Sequence, residues 1–248
     1  MSAEAVLDAV ADDAALPIVY QDEHLVAIDK PPGLLVHRSG LDAQEERFAL
    51  QLLRDQLGRP VWPAHRLDKG TSGLLLFALD ADTASRLGQC FEQGLANKHY
   101  LALVRGWPAT AAGQIDHPLA RDPELPSRGQ VLLEARTDWQ CLARYDWPIQ
   151  PDPRFASARY ALMALQPHSG RRHQIRRHLK HIAHPIIGDA THGKGAHNRA
   201  VAAHLGLARL WLHALTLELP HPWRAETLRL RTPPGPEWAP LLQGVSVP

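Results

Sequence analysis

The chain has only two cysteines in its 248 residues, Cys90 and Cys141. Two thiols cannot build a disulfide framework or a four-thiolate zinc site. Long apolar runs are also missing. The longest, Leu74–Leu79, falls well short of the ~18 residues that span a bilayer. Basic residues are absent from the first fifteen positions, which are acidic and Ala-rich, the opposite of a secretory or mitochondrial targeting segment. These absences lead to the expectation of a cytoplasmic protein with no membrane partner. A hydrophobic content of 45% with 21% charged residues excludes a disordered chain.

A large net charge is lacking too, since the balance is +1, but the charge is unevenly placed. Residues 1–80 hold 13 acids against 7 bases, whereas residues 153–217 hold ten Lys or Arg and one acid, Asp189. Of the 27 cations, 22 are arginine, the side chain that grips phosphate through two parallel hydrogen bonds. A GC-rich genome accounts for much of the arginine excess but not for its clustering. The polarised zone suggests a polyanion footprint.

Local patterns predict short strands at Ile18–Tyr20, Leu25–Ile28 and Leu34–Val36, with Lys30-Pro31-Pro32-Gly33 separating the last two. A helix is expected over 43–57, closed by Gly58, and another over 82–96 with Ala84, Leu87, Phe91 and Leu95 on one face. Strands follow at Leu74–Ala78, Tyr100–Val104, Val131–Ala135, Trp139–Arg144 and Tyr160–Leu165. A helix spans 171–183, a loop runs from His184 to Arg199, and Leu212–Leu219 with Thr227–Leu230 close the fold. Strands outnumber helices without alternating with them, so the fold class is α+β. With no repeat and no clear linker, the expectation is one domain over 17–248 behind an acidic extension, 1–16.

Two segments carry chemistry. In His65-Arg66-Leu67-Asp68-Lys69-Gly70, cations on either side of Asp68 favour the ionised carboxylate, suited to a nucleophile or base; a surface ion-pair loop is the plainer alternative. In Gly170-Arg171-Arg172-His173-Gln174-Ile175-Arg176-Arg177-His178-Leu179-Lys180, helical spacing buries Ile175, Leu179 and Ile182. It sets Arg171 and His178 beside that stripe, Arg176 about 100° away, and His173, Arg177 and Lys180 outward. This is either a phosphate-facing helix or a solvated basic face; an arginine near its buried side needs a partner, for which Asp68 is a candidate. Tyr100 suits either base stacking, worth about 1–3 kcal/mol, or a core. Fifteen histidines invite a metal reading. However, His173, His178, His181 and His184 scatter around the helix among cations that repel a dication, so no metal is expected.

Taken together, these segments resemble the RluA family of pseudouridine synthases. His65-Arg66-Leu67-Asp68 resembles its signature loop, Lys98-His99-Tyr100 with Leu101–Gly106 its tyrosine-bearing strand, and Gly170–Arg176 its third motif. Lys30–Gly33 and His184–Asp189 match two further stretches. Val36-His37-Arg38-Ser39 with Leu41-Asp42, Arg176-Arg177-His178-Leu179, and His192-Gly193 with Asn198-Arg199 resemble the family's branch that modifies uridine 65 in the tRNA T stem.

The resemblance implies a pseudouridine synthase fold: a mixed, largely antiparallel sheet with flanking helices and a central RNA-binding cleft, here without an N-terminal S4 domain. It implies isomerisation of a uridine in tRNA, or alternatively rRNA, by a monomer needing no cofactor and no metal. Asp68 would be the essential carboxylate, attacking C1′ or removing a sugar proton. The base would flip out at a cost on the order of a few kcal/mol, with Arg66 filling the vacated stack. Tyr100 would pack on the flipped uracil and assist proton removal, and Arg176 would pair with Asp68. Leu212 would form an apolar wall, while Arg171, Arg172, Arg177 and Lys180 would meet phosphates. Outside this family, the alternatives are a non-catalytic RNA-binding module and a metal-dependent hydrolase using the histidines.

Overall fold

The computed structural model describes residues 15–37, 47–126 and 128–247. The predicted acidic extension therefore lies almost entirely outside the described residues. Strands β1 (Ile18–Gln21) and β2 (Leu25–Lys30) form an antiparallel hairpin. Its turn is closed by Asp22, whose Oδ1 accepts from the N–H groups of His24 and Leu25 at 2.8 and 2.7 Å.

Helix α1 (Ala49–Leu57) ends at the left-handed Gly58; positions 43–46 of the predicted helix fall outside the described residues. The expected strand at Leu34–Val36 reduces to one bridge, Leu35 to Phe48. The reason is local: the Lys30 Nζ donates to the carbonyls of Pro31 and Leu34, both at 2.8 Å, and curls this stretch around the ammonium.

After β3 (Trp62–Pro63), the apolar run forms β4 (Ser72–Ala78), buried along its whole length. Leu75 and Phe77 pack towards α1 with Val26, Ile28 and Leu53. Leu74 and Leu76 pack on the other face with Leu25 and Leu87 of α2 (Ala81–Glu92). A strand covered on both faces reads as a continuous apolar run, and each leucine so buried contributes about 1.5–3 kcal/mol. Helix α2 stops short of the predicted residue 96. Gly94 turns left-handed, leaving Leu95 51% exposed.

The remaining strands are β5 (Asn97–Arg105), β6 (Ala112–Asp116), β7 (Leu119–Ala120), β8 (Leu132–Leu133), β9 (Arg136–Trp147) and β10 (Ala158–Pro167). Helices α3 (Gln174–His181) and α4 (Gly195–Leu205) precede β11 (Leu212–Pro220), β12 (Thr227–Arg231) and the short α5 (Ala239–Leu242). The Pro-rich region hid β6 and β7, and α4 was missed because only Val201 is fully buried.

The fold is α+β. Its main sheet runs β1-β2-β4-β11-β5-β10-β9-β6, with β12 on β11 and β3 on β4; β7 and β8 form a separate ribbon. Pairing in the main sheet is antiparallel except between β4 and β11. One row across four strands, Lys30–Gly73–Ala214–Tyr100, places two distant motifs beside the Asp68 loop. Gly73 is required there. At φ 103° it takes a left-handed conformation, and a Cβ would sit 2.3 Å from the Ala214 carbonyl oxygen. Among the described residues, no helix is long and apolar enough to cross a membrane.

Candidate active site

Asp68 stands in the loop that enters β4, its side chain 29% exposed. The loop is tied from below: the fully buried Lys30 donates to the Lys69 carbonyl at 3.2 Å, its third carbonyl partner. Burial pushes the Lys30 amine down to about 7, while the Asp68 charge works the other way. Three carbonyl acceptors match the three N–H donors of the ammonium form.

Arg176 reaches this loop from α3, 108 residues further along the chain. Its Nη1 donates to Asp68 Oδ2 at 2.9 Å. The other edge of the guanidinium clasps both oxygens of Asp189, at 2.7 and 2.9 Å. Burial alone would lower the Arg176 pKa, but the hydrogen bonds and charge of Asp189, then those of Asp68, raise it overall. Burial works to raise the Asp189 pKa, and Arg176 with the His192 backbone N–H takes it below its ordinary value. The result is a planar cation between two carboxylates, one sealed and one facing outward.

The backbone carrying Asp189 is itself fixed. Gly188 is left-handed, and a Cβ there would lie 1.6 Å from the Arg209 carbonyl oxygen. Asn198 of α4 accepts from the Gly188 N–H at 2.9 Å and donates to the Asp189 carbonyl at 3.0 Å.

Tyr100 packs between the apolar clusters on the two sides of this junction, one of which includes Leu212 and Ile175. Burial raises its phenol pKa and the Asp68 charge raises it further. Arg66 is exposed beside Asp68. His65 faces inward, its Nε2 accepting from the Leu76 N–H at 3.2 Å.

The family described as RNA pseudouridylate synthase matches residues 24–181, a span that contains Asp68, Tyr100 and Arg176. The chain belongs to this family. It is 44% identical over 232 residues to the tRNA pseudouridine synthase C of Vibrio cholerae, covering 92% of this chain and 94% of that protein. The protein of the same name from Yersinia pestis is 46% identical over 220 residues, covering 87% and 85%. Among solved structures, human RNA pseudouridylate synthase domain containing 4 aligns with a TM-score of 0.68 at 28% identity, covering 94% of each chain. Human RNA pseudouridylate synthase domain containing 1 aligns with the same score at 27% identity, over 88% of this chain and 83% of that one.

Within this pseudouridylate synthase fold, the helical spacing of residues 171–180 needs correction. The helix starts at Gln174, because His173 has left-handed backbone at φ 54°. Arg171 is therefore not beside the buried stripe; it is exposed and donates to the Glu134 carbonyl at 3.1 Å. Arg176 is not displaced from the stripe but buried, with its side chain 10% exposed. His173 turns inward rather than outward, its side chain 16% exposed. Arg177 is half-buried and donates to the Ala120 carbonyl at 2.9 Å. Arg172 is held by Glu124, with Asp122 at 3.6 Å. Of the outward cations expected on this helix, Lys180 is the exposed one. The sequence reading also gave Asp189 no role. The signal was there: it is the single acid among the ten cations of 153–217, and a buried arginine needs a counter-charge.

Proposed function

We propose that this chain isomerises uridine to pseudouridine in tRNA, at uridine 65 of the T stem, acting as a cytoplasmic monomer through the single catalytic domain 17–248. The observation that carries the reading is Asp68, partly open to solvent while Arg176 grips one of its oxygens at 2.9 Å. The relatives named tRNA pseudouridine synthase C support tRNA as the substrate class.

In the reaction, the N1–C1′ bond breaks, the uracil turns, and a C5–C1′ bond forms. N1 gains a proton and C5 loses one, so substrate and product are isomers. Uracil is both leaving group and returning nucleophile, which is why no cofactor or metal is required. Asp68 supplies the carboxylate, by attack on C1′ or by removing a sugar proton. Its loop cannot reach a stacked base, so the uridine flips out, and the exposed Arg66 fills the gap. Tyr100 packs on the flipped ring. Its phenol, whose pKa is raised by burial and by the Asp68 charge, is protonated in the resting site, and it assists removal of the C5 proton once the ring has turned. Leu212 completes the apolar wall. Lys180 and Arg171 meet phosphates, and Arg172 and Arg177 do so only on leaving their present partners.

The test is to map pseudouridine in a tRNA transcript and in rRNA after incubation with the purified protein. Product confined to the T-stem position is expected. Product in rRNA alone would overturn the tRNA assignment, and none in either would overturn the isomerase reading.

A further inference from the structure

The second oxygen of Asp68 has its own neighbour. His173 Nε2 lies 3.9 Å from Asp68 Oδ1, the oxygen that Arg176 does not hold. The opposite ring nitrogen, Nδ1, is 3.2 Å from His192 Nε2. His192 is in turn fixed, its backbone N–H donating to Asp189 Oδ1 at 2.8 Å. A ring of contacts thus runs from Asp68 through Arg176, Asp189, His192 and His173 back to Asp68.

The backbone is bent to achieve this. His173 is one of two non-glycine residues with positive φ among the described residues, a conformation that persists only where surrounding contacts impose it. It swings the ring out of the helical register and into the gap between His192 and Asp68. Both imidazoles favour the neutral form: burial lowers His173, and burial takes His192 to about 4. Between two neutral rings, one nitrogen donates and the other accepts. If His192 donates, the remaining His173 proton sits on Nε2 and faces Asp68.

We propose that His173 is a positioning residue for Asp68, its Nε2–H steering Oδ1 while Arg176 holds Oδ2. Oδ2 is committed to a charged donor, so Oδ1 is the oxygen left for chemistry. The 3.9 Å separation is too long for a hydrogen bond, so in the resting site the ring acts on Oδ1 through its N–H dipole alone. His173 therefore sets the direction of Oδ1 without tying it down before substrate arrives. This inference rests on the isomerase reading above.

Two substitutions separate steering from backbone shape, because they err in opposite directions. Asn tolerates left-handed backbone and places its amide near Nδ1, leaving nothing towards Asp68. Gln tolerates that backbone less well but places an N–H near Nε2. His173→Asn is expected to lower kcat about tenfold or more with KM for tRNA within about twofold, whereas His173→Gln keeps most of kcat. The reverse order, or equal kcat in both, would overturn the proposal.

Should either variant fail to fold, 15N NMR of the parent protein decides. The Nε2–H tautomer is expected for His173, with a signal that moves in Asp68→Asn; an Nδ1–H tautomer, or a signal indifferent to Asp68, would overturn it. This readout needs no turnover. Failure of the parent protein to make pseudouridine would therefore count against the functional reading, separately from the geometry of His173.

Discussion

At the scale of single residues, the site depends on a cation held between two carboxylates. Asp189 is sealed, its side chain fully buried, so removing its charge leaves Arg176 inside with only Asp68 to answer it. Breaking a buried pair from one side costs about 3–5 kcal/mol. Asp189→Asn is accordingly expected to lower unfolding stability by about that amount, measured by urea denaturation, and to cut kcat at least tenfold with Arg176 misaimed. Because the folded pKa of Asp189 lies below its ordinary 3.8, its contribution is complete above that value and fades as pH falls through the folded one. The stability gap between parent and variant should narrow in acid. A gap that stayed constant with pH would contradict this account of the pair. The pairing of Arg176 with Asp68 was legible in the sequence, through motif resemblance and through the need of a buried-side arginine for a partner. The roles of Asp189 and His173 were not, because helical spacing assumes helical backbone and His173 departs from it.

At the scale of elements, the basic helix is less open than its composition suggests. The β7–β8 ribbon and the loop between its strands lie against the start of α3. They take Arg172 onto Glu124 and Arg177 onto the Ala120 carbonyl. Free cations, not paired ones, set the salt dependence of RNA binding, with each phosphate contact adding about one to the slope. Lys180→Ala should therefore weaken tRNA binding and flatten a plot of log Kd against log salt. Arg172→Ala should flatten it less. A larger effect from Arg172 would mean that RNA strips it from Glu124. The strands flanking the site were readable because their burial pattern is regular. Strand β8 falls inside the expected strand Val131–Ala135, but its partner β7, at two residues, is too short for periodicity to show, and α4 was missed although its polar residue Asn198 fixes Asp189.

At the scale of the whole molecule, one sheet gathers motifs far apart in the chain. Lys30, Gly73, Ala214 and Tyr100 fall in one row, and Arg176 descends on the loop beside it. The α+β class followed from strand count and spacing. The parallel contact between β4 and β11 did not, since no local signal specifies which distant strands meet. That contact brings the Asp68 loop up to Tyr100, and the account stands or falls on the carboxylate placed there. The most direct measurement is single-turnover pseudouridine formation by Asp68→Ala on a tRNA transcript, with tRNA affinity measured in parallel. No detectable product, with affinity within about threefold of the parent, is the predicted result. Product at an appreciable fraction of the parental rate would contradict the central claim.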